Sequence, residues 1–356
     1  MLCNPVCGNS LIIGRMTLMD IAIDLGTDRT RIYINGKGKV IDEASIVAKN
    51  TGSNKIIAIG NRAHDMLGKT PVSIETVYPI ENGVIAHSEL AENMLAAYVK
   101  EVCPVRATLP RVVASIPYRL TEVKKQAVLS TVNSFGARKI YLIEAPKAAA
   151  LGCGADISGA HGIMIAHIGG SSAEIAVISL GRITVSKTIN MSGDYMDKEI
   201  TSFVKKRYKL LIGKNTAEKC KIEIGSLSGD SAENYFRLKG RDAVSGLPKY
   251  IDISSREIYE AILPTATAIA GAINSVLEHT PPELARDIYN DGIILTGGLA
   301  RLNGLARFIC EKSRLRVKVH KESGDCVISG CAKAIRLIPQ AEKAARSGIT
   351  PILAAY

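Results

Sequence analysis

Short strand-like runs alternate with longer helix-like repeats along the whole chain. Apolar residues at every second position of 20–34, with a Gly/Thr/Asp turn between them, predict a β-hairpin. A second hairpin is predicted over 162–180, around the sequence GGSSA. The runs 112–116 and 139–143 are almost continuously apolar, as is typical of buried strands. This alternation of strands and helices predicts an α/β protein.

Three other segments carry apolar residues at helical spacing. Residues 121–134 lie between two predicted strands, and a second helix is predicted to begin at Asp194. Ser254 and Glu257 form a capping-box pattern in front of a third, longer helix. The segment 226–252 is polar and predicts small strands and loops.

A unit of strand, glycine-rich turn and strand occurs twice. The first turn follows Asp24 in the sequence DLGT, and the second follows His167 in the sequence HIGGSS. We interpret the pair as a duplicated domain whose two turns face each other across a cleft.

The composition supports two domains and excludes several protein classes. A length of 356 residues exceeds what one hydrophobic core usually supports, and a 47% hydrophobic content excludes a disordered chain. No uninterrupted apolar stretch is long enough to predict a transmembrane helix. Residues 1–18 are predicted to be an extension. Either the start codon is misassigned, or the segment is a weak membrane-contacting leader.

The charge and the cysteines suggest partners only indirectly. Lys and Arg number 45 against 34 Asp and Glu, which gives a net charge of +11. An anionic membrane surface or a nucleic acid would suit that charge, but the scarcity of aromatic residues for base stacking leads us to expect no nucleic-acid partner. The eight cysteines contain no CxxC pair, so we expect reduced thiols and no zinc site.

The two glycine-rich turns predict phosphate binding. Their backbone N–H groups and hydroxyls are suited to cradle phosphate oxygens, and Asp24 is a candidate for holding hydrated Mg²⁺. Glu218 and Lys221, at i and i+3 of a predicted helix, are expected to face the same ligand. The other candidates are Gly26, Thr27, Gly169, Gly170, Ser171 and Ser172, with Gly297 and Gly298 at a strand-to-helix turn.

Longer motifs carry a resemblance to a known family. They extend from about residue 19 to about residue 337 and include IDLGTDRT (23–30), KTPVSIETVYPIENGVIA (69–86), ARKIYLIEAPKAAALG (137–152), SGDYMDKEI (192–200) and LEHTPPELARDIYNDGIILTGG (277–298). In these motifs the chain resembles the MreB-type bacterial actins of the actin, sugar kinase and heat-shock ATPase superfamily.

The resemblance implies an actin-like ATPase fold. Two duplicated ribonuclease H-like domains would surround a nucleotide cleft, each with a small inserted subdomain. The implied boundaries are an extension at 1–18, domain I at 19–158 plus 333–348 with a small subdomain at about 50–82, domain II at 159–332 with a small subdomain at about 194–253, and a tail at 349–356.

The resemblance also implies ATP and Mg²⁺ as cofactors and self-association into filaments. Such filaments lie on the inner face of the cytoplasmic membrane and organise cell-wall synthesis, so a cytoplasmic, peripheral location is implied. Other bacterial actins and cell-wall synthesis proteins are the implied partners. The short apolar loop 102–105 is a candidate membrane contact, and the further implied cleft residues are Gly193, Asp194, Leu299 and Ala300.

Two departures from the family pattern affect hydrolysis. His167 stands where the family has the Asp of the second phosphate loop. Ala145 stands where the family has the Glu that positions the attacking water, and Glu144, one residue earlier, would replace it only after a shift of the backbone. We therefore predict weak or absent ATP hydrolysis.

Three further departures concern nucleotide binding. Asp28 and Arg29 stand in the first loop where small or amide residues are usual, and Arg29 is a candidate second cation for phosphate. Leu299 replaces a glycine and would be strained by about 1–2 kcal/mol if its φ were positive.

Three functions remain open from the sequence. The first is a membrane-associated filament protein that determines cell shape. The second is a pseudo-ATPase paralogue that co-assembles with an active bacterial actin and regulates it. The third is a small-molecule kinase of the same superfamily.

Overall fold

The computed structural model describes residues 19–103, 110–228, 233–346 and 352–355. The predicted extension 1–18 lies outside these residues, as do two of the four residues of the candidate membrane loop 102–105. Part of the predicted tail, 349–351 and 356, also lies outside them.

The first part of the chain contains ten strands and four helices among the described residues. The strands are β1 (Asp20–Leu25), β2 (Arg29–Ile34), β3 (Gly38–Ala44), β4 (Val47–Asn50), β5 (Ile56–Ile59), β6 (Ile74–Val77), β7 (Ile80–Glu81), β8 (Val84–Ile85), β9 (Arg111–Ile116) and β10 (Lys139–Glu144). The helices are α1 (Asn61–His64), α2 (Ser88–Val102), α3 (Glu122–Asn133) and α4 (Ala145–Gly152).

The second part contains nine strands and seven α-helices within the described ranges. The strands are β11 (Ile163–Ile168), β12 (Ala173–Ser179), β13 (Arg182–Ile189), β14 (Leu210–Leu211), β15 (Tyr235–Asp242), β16 (Pro248–Ser254), β17 (Ile293–Thr296), β18 (Val317–Val319) and β19 (Ala354–Ala355). The helices are α5 (Gly193–Tyr208), α6 (Lys214–Ile224), α7 (Ser255–Glu278), α8 (Pro282–Asp291), α9 (Leu305–Ser313), α10 (Cys326–Ala334) and α11 (Ile338–Arg346), with 3₁₀ turns at Gly298–Arg301, Ser323–Asp325 and Ile335–Leu337.

The two large sheets repeat one topology. In the first, β3, β2 and β1 form an antiparallel meander, and β9 and β10 continue the sheet parallel to β1. In the second, β13, β12 and β11 form the same meander, and β17 and β18 continue it in parallel. Both predicted hairpins are therefore confirmed, and each glycine-rich turn joins the first two strands of its sheet.

Two small three-stranded sheets accompany the large ones. The order β5–β4–β6 forms one of them, and β14–β15–β16 forms the other. The first spans 47–77 and the second spans 210–254. We infer that these sheets are the cores of the two small subdomains, whose boundaries stay predictions.

Helices α4 and α10 pack against each other between the two large sheets. Buried alanines of α4 and Val327, Ile328 and Cys331 of α10 join one hydrophobic cluster with residues of β10 and β11. Gly152 and Gly330 permit this approach, since a Cβ on either would collide with backbone of the facing helix. The two halves of the molecule therefore meet at a close helix–helix contact.

Helix α7 has the length and apolar composition of a membrane span, although no continuous apolar stretch marks it in the sequence. Half of that apolar window is buried inside the protein, where Ile258, Ile262, Ile269 and Ile273 are fully buried. A core helix has this same composition, so the feature is weak evidence for a membrane span. The capping box at Ser254 and Glu257 forms as predicted.

The C-terminal residues lie on the first large sheet. Strand β19 pairs antiparallel with β10, and Glu342 of α11 accepts hydrogen bonds from Lys139 and Tyr141. The described end of the segment predicted as a tail thus forms an edge strand.

Candidate functional site

A cavity of about 680 Å³ lies between the two large sheets. It is lined by the β1–β2 turn, by the β11–β12 turn and by residues after β17, so the two glycine-rich turns face each other as the duplicated pattern predicts. Its volume falls in the usual range for small-molecule sites. The predicted site residues line it with two exceptions, Glu144 and Ala300.

The register at the end of β10 turns Glu144 away from the cavity. Its Oε2 lies 3.1 Å from Nζ of Lys147, whereas Ala145 lines the cavity. Glu144, a doubtful catalytic candidate from the sequence, is therefore paired with Lys147 and does not line the cavity. The neighbouring position that lines it, Ala145, carries a methyl group, which cannot orient water.

Asp24 is already engaged by two neighbours. Its Oδ1 accepts a hydrogen bond of 2.8 Å from the Ser115 hydroxyl, and its Oδ2 lies 3.5 Å from a guanidinium nitrogen of Arg31. Arg31 was not singled out from the sequence, because an alternating position in a strand carries no signal for its partner. The guanidinium of Arg31 thus partly offsets the negative charge of the Asp24 carboxylate in the cavity.

The surroundings of His167 favour the neutral imidazole. Burial lowers the pKa of this group, against the opposing effect of Asp24, and Nδ1 lies 3.1 Å from the Thr296 hydroxyl. A neutral ring cannot pair with phosphate as a cation does. Nearby Glu174 is buried, which raises its pKa to about 7, so it supplies at most a partial charge at neutral pH.

The two phosphate-loop candidates touch directly. The Ser171 hydroxyl donates to Thr27 Oγ1 at 2.9 Å, and that oxygen also accepts from the Gly83 backbone N–H at 2.8 Å. Asp28 extends against Gly170, where a Cβ would overlap its carboxylate. Burial, and then the charge of Asp194, raises the pKa of Asp28 to about 6. The Asp28 carboxylate thus lies between the two glycine-rich turns.

The structure gives the partner of Arg29 and the backbone conformation of Leu299. The Arg29 guanidinium is bound to Asp42, with Nε 2.5 Å from Oδ1. Leu299 lies in a 3₁₀ turn and is not among the residues with positive φ, so the condition for strain at this position is not met. Position 297 is the one in this turn that requires glycine, because its φ is 92° and a Cβ would collide with the Ile168 carbonyl.

The α6 helix brings two lysines to the cavity. The Lys221 ammonium is 2.8 Å from the Asp197 carboxylate and 2.9 Å from the Gly193 carbonyl, so its contacts are internal. Lys214 was missed from the sequence. Its ammonium lies 2.6 Å from Asp194 and 4.9 Å from the centre of the Tyr78 ring, and this second contact links α6 to the segment that follows β6.

Comparison with known proteins identifies the family. The model of the MreB/Mbl protein family matches residues 18–343. The chain belongs to the MreB/Mbl family. Its relatives include the cell shape-determining protein Mbl of Bacillus subtilis, with 41% identity over 88% of this chain and 95% of that protein. The cell shape-determining protein MreB of Escherichia coli is 39% identical over 90% of this chain and 94% of its own length.

Solved structures agree with this membership. MreB5 of Spiroplasma citri bound to AMPPNP is 35% identical and superimposes with a TM-score of 0.89, over 92% of this MreB/Mbl chain and 99% of MreB5. The MamK double helical filament matches with a TM-score of 0.76 at 19% identity, over 89% and 98% of the two chains, which supports the fold alone. The actin-like ATPase fold predicted from the sequence is confirmed.

Proposed function

We propose that this MreB/Mbl protein assembles into filaments and takes part in determining cell shape. The observation that carries the proposal is the match over almost the entire chain to proteins named as cell shape-determining. The repeated sheet topology supports it, because it supplies the two-halved actin-like unit.

We also propose that the cavity binds an adenine nucleotide of the ATP class. Its volume, its two facing glycine-rich turns and the glycine at the end of β17 support this, and MreB5 was solved with both AMPPNP and ADP. In the proposed complex the backbone N–H groups of both turns bind phosphate oxygens. Asp28 has to move from Gly170 before phosphate can enter.

The side chains that line the cavity do not form a suitable set of ligands for Mg²⁺. The ion prefers carboxylate or water oxygens in near-octahedral geometry, but Asp24 is paired with Arg31 and bonded to Ser115. His167, in place of a second carboxylate, favours the neutral form. Calorimetric titration with ATP, with and without Mg²⁺, tests this, and an affinity that depends strongly on Mg²⁺ would contradict it.

Hydrolysis is proposed to be weak or absent. With Ala145 at the water-positioning site, the cavity can position phosphate by backbone and charge but cannot orient the nucleophile. Steady-state phosphate release from purified protein tests this, and turnover at the rate of an active bacterial actin would contradict it.

A second candidate function is a pseudo-ATPase that co-assembles with an active bacterial actin. The specific observation in its favour is the set of altered residues in one cavity, Asp28, Ala145 and His167. Pelleting and negative-stain microscopy separate the two functions. Filaments from the protein alone support self-assembly, and filaments that form only with another bacterial actin support the second function.

We propose a cytoplasmic protein that is peripheral at the inner membrane face. The support is the net charge of +11, since basic residues near an anionic surface each contribute up to about 1 kcal/mol. Co-sedimentation with vesicles containing anionic lipid should exceed that with neutral vesicles and decline with salt. Equal sedimentation with both would contradict the proposal.

A further inference from the structure

Three side chains of the kind that bind thiophilic metals meet at the junction of the two halves. Cys153, His320 and Cys326 offer ligand atoms that all lie within 4.8 Å of one another. None of the three lines the nucleotide cavity. They are a separate cluster, which we call the CHC cluster.

The fold brings together ligands that are far apart in sequence. Cys153 directly follows α4, and Cys326 is the first residue of α10, 173 positions later. His320 directly follows β18. The close contact of α4 and α10, which requires Gly152 beside the Cys326 carbonyl, sets the distance between the two thiols.

The distances resemble the edges of a tetrahedral zinc site. The two Sγ atoms are 3.4 Å apart, and Cys326 Sγ is 3.3 Å from His320 Nδ1. Bonds of about 2.3 Å to sulfur and about 2.0 Å to nitrogen in a tetrahedron place ligand atoms roughly 3.5–3.8 Å apart. Only a few tenths of an ångström of movement on these two edges are needed for the ion to enter.

The imidazole turns Nδ1 toward the sulfur of Cys326, at 3.3 Å. This nitrogen accepts a hydrogen bond of 3.2 Å from the backbone N–H of Glu322, so it carries a lone pair, and a metal ion would replace that N–H as its partner. Cys153 and His320 are partly exposed, whereas Cys326 is buried. An ion can therefore arrive from solvent, and water can complete the coordination.

We propose that the CHC cluster binds one thiophilic metal ion of the Zn²⁺ class through Cys153, His320 and Cys326, and so ties α4 to α10. The expectation from the sequence of no zinc site rests on ligand spacing along the chain, which does not report this tertiary contact. The ion would lie beside Asp325, which pairs with Lys39 and Arg31 of the first sheet.

Zinc titration against a chromophoric chelator tests the proposal on the full-length reduced protein. We expect one high-affinity ion per chain. Because loss of even an outer-shell partner weakens metal sites about 10–100-fold, Cys153→Ser, Cys326→Ser and His320→Gln should each weaken binding at least about tenfold. Co²⁺ should give a thiolate charge-transfer band in the wild type that is weaker in Cys153→Ser and absent when Cys153→Ser is combined with Cys326→Ser.

Matched variants separate this site from other thiols. Cys310→Ser removes a partly exposed cysteine elsewhere in the fold, and Cys3→Ser with Cys7→Ser removes the N-terminal pair. Both should retain the ion. Circular dichroism in chelator checks that every variant is folded. Equal affinity in folded Cys153→Ser, loss of the ion in the N-terminal variant, or a Cys153–Cys326 disulfide without bound zinc in the reduced preparation would each overturn the proposal.

Discussion

Asp28 places a carboxylate in a loop that would otherwise present mainly backbone N–H groups to phosphate. Its position against Gly170 and its raised pKa both indicate an acid that is held in an unfavourable environment. Arg29, the adjacent residue, does not compensate, because its charge is satisfied by Asp42. Asp28 therefore changes the charge of the candidate nucleotide site, whereas the adjacent Arg29 does not.

Asp28→Asn should strengthen ATP binding by about tenfold, or about 1.4 kcal/mol, because the substitution removes a negative charge from the path of the phosphates. Calorimetric or fluorescent-nucleotide titration measures this. Asp252→Asn, which removes the same charge from an exposed position on β16, is the control and should leave affinity unchanged. Weaker binding by Asp28→Asn would show that the carboxylate assists the nucleotide.

Ala145→Glu should restore hydrolysis if the missing carboxylate is what limits turnover. We expect phosphate release to rise by about 10²-fold, the lower end of what a positioned base contributes. Ala145→Leu supplies bulk without a carboxylate and should remain inactive. No increase in Ala145→Glu, in protein shown to bind ATP, would place the defect at His167 instead.

Glu174 predicts a measurable dependence of stability on pH. Its folded-state pKa of about 7 lies above the unfolded value, so the folded protein binds the proton more tightly and its unfolding free energy falls as pH rises from about 4.5 through 7. Glu174→Gln should remove this penalty, on the order of 3 kcal/mol at pH 8. The gain should shrink toward zero near pH 4. Urea unfolding across this range measures it, and a pH-independent difference would contradict it.

At the scale of elements, the α4–α10 contact is the tightest constraint that we find among the described helices. Gly330→Ala should destabilise the protein by about 1–3 kcal/mol, because the added methyl group meets the Ala148 carbonyl. Gly271→Ala in α7 has open space around its Cβ and should be neutral or stabilising by up to about 1 kcal/mol. Chemical denaturation of both variants measures the contrast, and equal effects would mean that the helices can separate without cost.

At the scale of the whole molecule, ion pairs join the two halves. Asp325 lies 2.7 Å from Lys39 and 3.3 Å from Arg31, so segments distant in the chain are paired. These side chains are partly exposed, which limits each pair to less than about 1 kcal/mol. These ion pairs therefore make only a small contribution to the free energy of unfolding.

A double-mutant cycle of Asp325→Asn with Lys39→Met should give a coupling free energy of about 0.5 kcal/mol at low salt. The coupling should approach zero near 1 M salt, because screening then acts over about 3 Å. Urea unfolding of the four proteins at both salt concentrations measures it. A coupling that is unaffected by salt would indicate packing rather than charge.

The sequence by itself determined the elements and the repeated unit. The alternation in 20–34 and 162–180 depends on local periodicity, and the Ser254–Glu257 capping box depends on residues three apart, so both could be predicted. The residues facing the cavity were also largely predictable, because the glycine-rich turn occurs twice and the longer motifs resemble those of a known family. The departures at Ala145 and His167 could be recognised by aligning their motifs with the family pattern.

Tertiary structure alone decided which charges and sulfurs meet. Arg31 joins Asp24, Asp28 reaches Gly170, and Cys153 comes beside Cys326 only after two sheets and two helices have packed. Such contacts depend on side-chain direction and on elements far apart in sequence, and no local periodicity encodes them. The sequence therefore predicts a phosphate cleft, whereas only the packed structure shows that Asp24 in the cleft is paired with Arg31, that Asp28 reaches the opposite turn, and that two thiols and an imidazole meet beside it.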